Sequence, residues 1–446
     1  MTRSTFLLLA GAFSALLSNA KSHLRAAEDS RPAKPNLIFV LVDDVARDWY
    51  SCYGSSQPTP NVDKLAAEGV RFETAWCTPL CTPTRMTFLS GMYPFRSGWT
   101  IHCDVPRSGG KGFDPDKFTC IARVLKQAGY ATAIAGKWQV NDLRLDKDIM
   151  QKHGFDEHCL WTGVERANKP SSKRYWDPFL QINGERATHT GQFGPEITQK
   201  FALDFIANHK QGPFFLYCPM IAAHQKLEAL PGSDGKPAAE NKAGKELMAG
   251  YITYIDRQVG ELMARLDALG IAENTVVVFA GDNGTAGGGT LNGHAIPSGK
   301  AKVSDLGVHV PLIIRAPMLA KKGFVTAALA DFTDLYPTFA ELAGGTLPHG
   351  VMLDVRSLVP VLKGEARESK PWIFSQLGTN RIVRDTRWLF HNTGQFYDLQ
   401  SDPLEKADLA ASTEPEAAAA RERLTKIMAS LPADGPPPFA EFPKPR

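Results

Sequence analysis

Unbroken apolar runs alternate along this chain with stretches whose apolar positions recur every three or four residues. Residues 37–42, Leu-Ile-Phe-Val-Leu-Val, contain no polar side chain, the pattern of a strand buried on both faces. Similar runs lie at 131–135, 214–217, 275–280 and 311–314. Helical spacing marks 60–68, 119–128, 195–209 and 245–269 between them. Strands alternating with helices predict an α/β fold, with a largely parallel sheet covered on both sides. A Pro/Gly-rich stretch at 344–350 marks a boundary. Beyond it, 372–374, 381–383 and 387–390 read as short strands of a smaller antiparallel sheet, and the Ala-rich stretch after Thr413 as a terminal helix.

The N-terminus has a different character. Arg3, the apolar stretch 6–17 and the small residues Ser18-Asn19-Ala20 form the three parts of a secretory signal. Residues 1–20 are therefore expected to be a signal peptide and 21–35 a leader. A catalytic domain at 36–345 and a C-terminal subdomain at 346–446 would follow. No later segment approaches the ~18 apolar residues of a membrane span. A soluble periplasmic or secreted protein is expected. Its 446 residues, 43% hydrophobic, suffice for a large core, and a net charge of +3 with scattered basic residues predicts no nucleic-acid partner.

The topology gives certain acidic residues a meaning. Asp43 and Asp44 follow the first apolar run directly, and Asp282-Asn283 follows the run at 275–280. Sites in open α/β sheets form beyond the carboxyl ends of the strands, so these residues can meet in one pocket. Three carboxylates brought together need a cation, and an all-oxygen donor set favours Ca2+ or Mg2+ over zinc. The seven cysteines show no C-x-x-C spacing, which argues against a zinc or redox motif. Excluding Cys81, the remaining six could pair in an oxidising compartment or stay as buried thiols.

Cys81-Thr-Pro-Thr-Arg85 resembles the C-x-P-[ST]-R signature of the type I, formylglycine-dependent sulfatases. PNLIFVLVDD resembles the opening motif of that family, and AGDNG its second metal-binding turn. TPNVDKLAAEGVRF, GYATAIAGKW, GPFFLYCPMIAAH, SGKAKVSDLGVHVPLIIRAP and FYDLQSDPLEKADLA resemble further segments in the same order, spanning roughly residues 35–410. Cys77 also has proline two residues on, but no arginine at the fourth position, so it is rejected as the modified residue.

The resemblance implies an alkaline-phosphatase-like α/β/α sandwich around a large, mostly parallel sheet. A smaller C-terminal α+β subdomain carries a short antiparallel sheet. It implies an exported enzyme hydrolysing sulfate esters, on a sulfated carbohydrate by analogy with secreted members. Cys81 would be converted to formylglycine by a formylglycine-generating or anaerobic maturase. Asp43, Asp44, Asp282, Asn283 and the oxygen of modified Cys81 would bind the metal. Arg85 would orient the formylglycine hydrate, Lys137 and Lys300 would contact sulfate, and His224 would protonate the departing oxygen. His102, His158 and His309 are left structural or unassigned, and Trp138 and Trp161 are expected to pack. The chain departs from the family at Gln139, where a histidine is usual in G-K-W-H. Two alternatives accompany this expectation: a phosphonate monoester or phosphodiester hydrolase of the same superfamily, and a sulfated-glycan-binding protein with turnover impaired at Gln139. Substrate selection is expected in the loops 102–117, 141–190 and 284–298.

Overall fold

The computed structural model describes residues 34–238, 243–320 and 322–439. The expected signal peptide and most of the leader lie outside the described residues. From Pro35 onward the chain forms one compact unit. Its centre is a sheet of ten strands: β1 Asn36–Val42, β2 Val70–Trp76, β3 Ala131–Lys137, β4 Glu157–Trp161, β5 Phe179–Ile182, β6 Glu185–Thr188, β7 Phe214–Pro219, β8 Thr275–Gly281, β11 Leu312–Arg315 and β12 Phe324–Asp331. Their order is β12-β2-β11-β8-β1-β7-β3-β4-β5-β6. The two remaining strands in this stretch, β9 Gly289–Leu291 and β10 His294–Ile296, form a separate hairpin.

Strands β8, β1, β7, β3 and β4 run parallel and make the middle of the sheet. Antiparallel pairs begin at β11 on one side and β5 on the other. Alternation along β1 explains its unbroken apolar run. Leu37, Phe39 and Leu41 enter one core, and Ile38, Val40 and Val42 enter the core on the opposite face. Helices Cys81–Ser90, Ile121–Gln127 and Phe332–Ala343 contribute to the first core. Helices Pro60–Glu68, Gly194–Asn208 and Gly244–Ala268 contribute to the second.

A separate antiparallel sheet follows, with strands β13 Ile373–Leu377, β14 Asn380–Arg384, β15 Trp388–His391 and β16 Phe396–Asp398. Helix Pro415–Ser430 covers it through Ala417, Ala420 and Leu424 against Trp388, Phe390 and Phe396. All seven cysteines are free thiols, so no disulfide contributes to this fold. Among the described residues, no helix is long and apolar enough to cross a membrane.

Candidate active site

The site starts from strand register. In the parallel pair β1 and β8, Val42 stands opposite Gly281, so the next residues, Asp43 and Asp282, leave the sheet side by side. The Asp282 amide donates to the Val42 carbonyl at 2.9 Å, which ties the two exits together. At Asp44 the backbone turns into the left-handed region, with φ of 62°, and its amide donates to Asp282 Oδ1 at 3.1 Å. Asn283 Nδ2 donates to Asp44 Oδ1 at 3.0 Å. Aspartate and asparagine tolerate such turns because their short side chains bond nearby backbone. All four residues are fully buried.

Three cations face these carboxylates. Lys137, the last residue of β3, places Nζ 2.6 Å from Asp43 Oδ2. Lys300 Nζ lies 2.6 Å from Asp44 Oδ2. Arg85 Nη2 bridges Asp43 Oδ2 at 2.8 Å and Asp282 Oδ2 at 3.1 Å, while its Nη1 donates to the Lys137 carbonyl at 3.0 Å. Burial pushes the Asp43 carboxyl up, but Lys137, His224, Arg85 and Lys300 outweigh it and hold this group well below the usual carboxylate range. Burial and the charge of Asp43 push Asp44 and Asp282 the other way, upward. Two acids in such surroundings resist ionisation unless more positive charge arrives.

Cys81 opens the buried helix Cys81–Ser90. The preceding turn is pinned by Thr84, whose Oγ1 accepts from the Thr78 amide at 2.9 Å. Cys81 Sγ lies 3.7 Å from His102 Nδ1 and donates to Gln139 Oε1 at 4.0 Å. Its ligand atom and those of Asp43 and Asp282 all lie within 4.8 Å of one another, as do those of Asp43, Asp44 and His224. Asp43 Oδ1 and Asn283 Oδ1 are buried acceptors without a hydrogen-bond partner. Unpaired oxygens of this kind, on a cluster of carboxylates, fit a hard divalent cation.

His224 sits in the turn after β7, with its ring 6.1 Å from that of Trp161 and its Nδ1 buried without a partner. Burial, and then Lys137, lower its pKa well below the ordinary value. The structure therefore gathers Asp43, Asp44, Cys81, Arg85, Lys137, His224, Asp282, Asn283 and Lys300 around one centre. It adds His102, which the sequence did not single out. His102 reaches Cys81 through a fold contact spanning 21 residues, and no local spacing reveals it. Burial, and then Lys137, hold its pKa at about 4, so its imidazole is neutral at neutral pH. His309 is structural, bonded to Asp305 at 2.9 Å and the Glu73 carbonyl at 2.8 Å, and His158 braces the Gly184 amide at 3.2 Å. Trp138 and Trp161 are buried packing residues.

The sulfatase family model matches residues 35–345, more than half of the chain. The chain belongs to the sulfatase family. Mouse (Mus musculus) steryl-sulfatase is 28% identical, covering 81% of this chain and 70% of its own. The N-acetylgalactosamine-6-O-sulfatase of Bacteroides thetaiotaomicron is 26% identical, covering 89% and 93%. Among solved structures, Ps i-CgsB in complex with k-i-k-neocarrahexaose matches with a TM-score of 0.75 at 26% identity, over 88% of this sulfatase and 92% of that chain. The sandwich with its large mixed sheet and small antiparallel sheet is thus the sulfatase fold, and the protein is a sulfuric ester hydrolase.

Proposed function

We propose that this sulfatase removes sulfate from a sulfated carbohydrate, using residue 81 as formylglycine and a divalent cation, with Ca2+ the first choice. The supporting observation is the placement of Cys81 at a buried helix N-terminus, within 4.8 Å of carboxylates whose neighbours have unpaired oxygens. The bacterial relative named N-acetylgalactosamine-6-O-sulfatase and the structure in complex with k-i-k-neocarrahexaose support a sugar substrate.

Asp43, Asp44, Asp282 and Asn283, with the oxygen of modified residue 81, would hold the cation. The hydrated aldehyde and the cation would supply a hydroxyl nucleophile and Lewis-acid stabilisation. The chain's own groups do the rest. Lys137 and Lys300 donate to the sulfate oxygens, each being a fixed cation at the edge of the acidic cluster. Backbone amides at the start of helix Cys81–Ser90 add positive potential. Arg85, which bridges Asp43 and Asp282, orients the formylglycine hydrate. His224 gives a proton to the departing sugar oxygen. Burial, and then Lys137, hold this imidazole neutral; an arriving sulfate anion offsets the lysine charge, so binding itself favours the proton-carrying form. Exported location, maturation of Cys81 by a dedicated enzyme, and division at 345 into catalytic domain and C-terminal subdomain belong to the same proposal.

The first test is the mass of the Cys81 peptide from protein produced with a formylglycine-forming enzyme. An aldehyde is expected, together with sulfate release from 4-nitrophenyl sulfate that is lost in Cys81→Ala. An unconverted thiol in active enzyme would refute the nucleophile. Faster cleavage of the matching aryl phosphonate would move the activity to phosphonate or phosphodiester hydrolysis.

A further inference from the structure

We propose that Arg174 and Tyr175 are positioning residues that aim the His224 imidazole at the leaving oxygen, which rests on the proton-donor role proposed above. The His224 ring has no hydrogen bond at Nδ1, so nothing there fixes its direction. What is fixed is its backbone. Tyr175 Oη donates to the His224 carbonyl at 2.6 Å, and Arg174 Nη2 donates to the same carbonyl at 3.4 Å. Arg174 Nη2 also donates to the carbonyls of Gln225 and, at 3.3 Å, Lys226. Two adjacent side chains thus hold three consecutive carbonyls. On the opposite side the Gln225 amide donates to Asp44 Oδ2 at 3.5 Å, so the turn is strung between the acidic centre and the pair 174–175.

The pair is itself rigid. The Tyr175 ring is fully buried, stacked on Phe193 at 5.8 Å and edge-on to Tyr251 at 5.4 Å. The Arg174 guanidinium lies over the Trp161 ring at 5.4 Å and the Tyr175 ring at 5.3 Å, and Trp161 is the ring beside His224. The histidine ring therefore has Trp161 beside it in a tilted contact, and its main chain is clamped through the neighbours of that tryptophan. Proton transfer depends steeply on placement, and a displacement of about 1 Å can cost on the order of a hundredfold. Residues 174 and 175 bond His224 at its carbonyl and not at its ring, so their effect should show where a proton is needed.

Leaving-group dependence reads this directly. The probes are 4-nitrophenyl sulfate, whose phenolate departs without help, and 4-methoxyphenyl sulfate, whose phenolate departs poorly. Tyr175→Phe removes one hydroxyl and keeps the ring. It should lower kcat on the methoxyphenyl ester about tenfold, change the nitrophenyl ester less than about threefold, and leave both KM values in place. Arg174→Gln should move in the same direction, and His224→Ala should show the same selectivity more strongly. Equal slowing of both esters by Tyr175→Phe and Arg174→Gln, or no slowing by either, overturns the clamp while His224→Ala stays selective. If His224→Ala slows both esters equally, the proton-donor role fails and the clamp with it. A wild-type enzyme that releases sulfate from neither ester overturns both proposals.

Discussion

Without the Arg85 guanidinium, Asp43 and Asp282 would face each other in a site that water does not reach. Breaking a buried ion pair by removing one partner costs about 3–5 kcal/mol, and since Lys137 still pairs with Asp43 here the loss falls at the lower end of that range. Arg85→Met is therefore expected to lower unfolding stability in denaturant by that amount, with added Ca2+ recovering part of the loss. A second residue-level effect concerns His153, which is fully buried, stacked 4.2 Å from Phe113 and bonded to Asn141 Oδ1 at 3.1 Å. Burial holds its pKa down to about 3, against an ordinary 6.5. Between about pH 6.5 and 3, then, only the unfolded chain takes up this proton. The stability contributed is complete above about pH 6.5 and is lost as pH falls through that window. Relative to His153→Gln, the wild type should lose about 1.4 kcal/mol per pH unit there, measured by denaturant titrations at several pH values. Legibility at this scale followed sequence distance. Asp43, Asp44, Asp282 and Asn283 stand directly after apolar runs and could be placed from topology. His102 could not, because its loop meets Cys81 only once the chain has folded.

At the scale of elements, the strands legible from sequence were those buried on both faces. β1, β3, β7, β8 and β11 read as apolar runs, and β1, β3, β7 and β8 lie in the middle of the sheet. β2 escaped notice because Arg71, Glu73 and Thr74 interrupt it, and these are the positions along it that are not buried. β5 and β6 lie toward the sheet's edge; β5 is a four-residue run, Phe-Leu-Gln-Ile, broken by Gln181, and on β6 Glu185, Ala187 and Thr188 are exposed and carry no apolar signal. Pairing direction was equally hidden. β11 has the composition of a central strand, yet it runs antiparallel to both neighbours. Glycine 136 in β3 shows how closely these elements meet. Its φ is +139°, and a Cβ there would sit 1.9 Å from the Pro219 carbonyl oxygen of β7. Gly136→Ala must push the two strands apart, directly beside Lys137. The expected result is loss of at least about tenfold in sulfate release, with a lowered thermal midpoint, since neither the backbone conformation nor the space admits a side chain.

Over the whole molecule, a metal that binds the folded state alone couples the acidic centre to global stability. Ca2+ at a hundred times its Kd should raise unfolding free energy by about 2.7 kcal/mol, and calorimetry with and without chelator measures the shift. Chelation should also abolish sulfate release. The same chelation of Asp43→Asn should produce little shift, because that variant lacks a central ligand of the proposed site.

The burial of Cys81 carries a consequence of timing. Its side chain is 2% exposed, and every residue of its helix is buried beneath the sheet and helix Phe332–Ala343. On the proposed conversion, an enzyme acting on this thiol would have to reach a group that the finished fold buries. Conversion would then compete with folding, and chains that close first would keep a thiol. Folded thiol-form protein given the maturation enzyme should stay unconverted, while the same protein presented in denaturant-unfolded form should be modified. Peptide mass distinguishes the two. The fraction of active enzyme in a preparation would then be set by a race between two rates and not by the stability of the product.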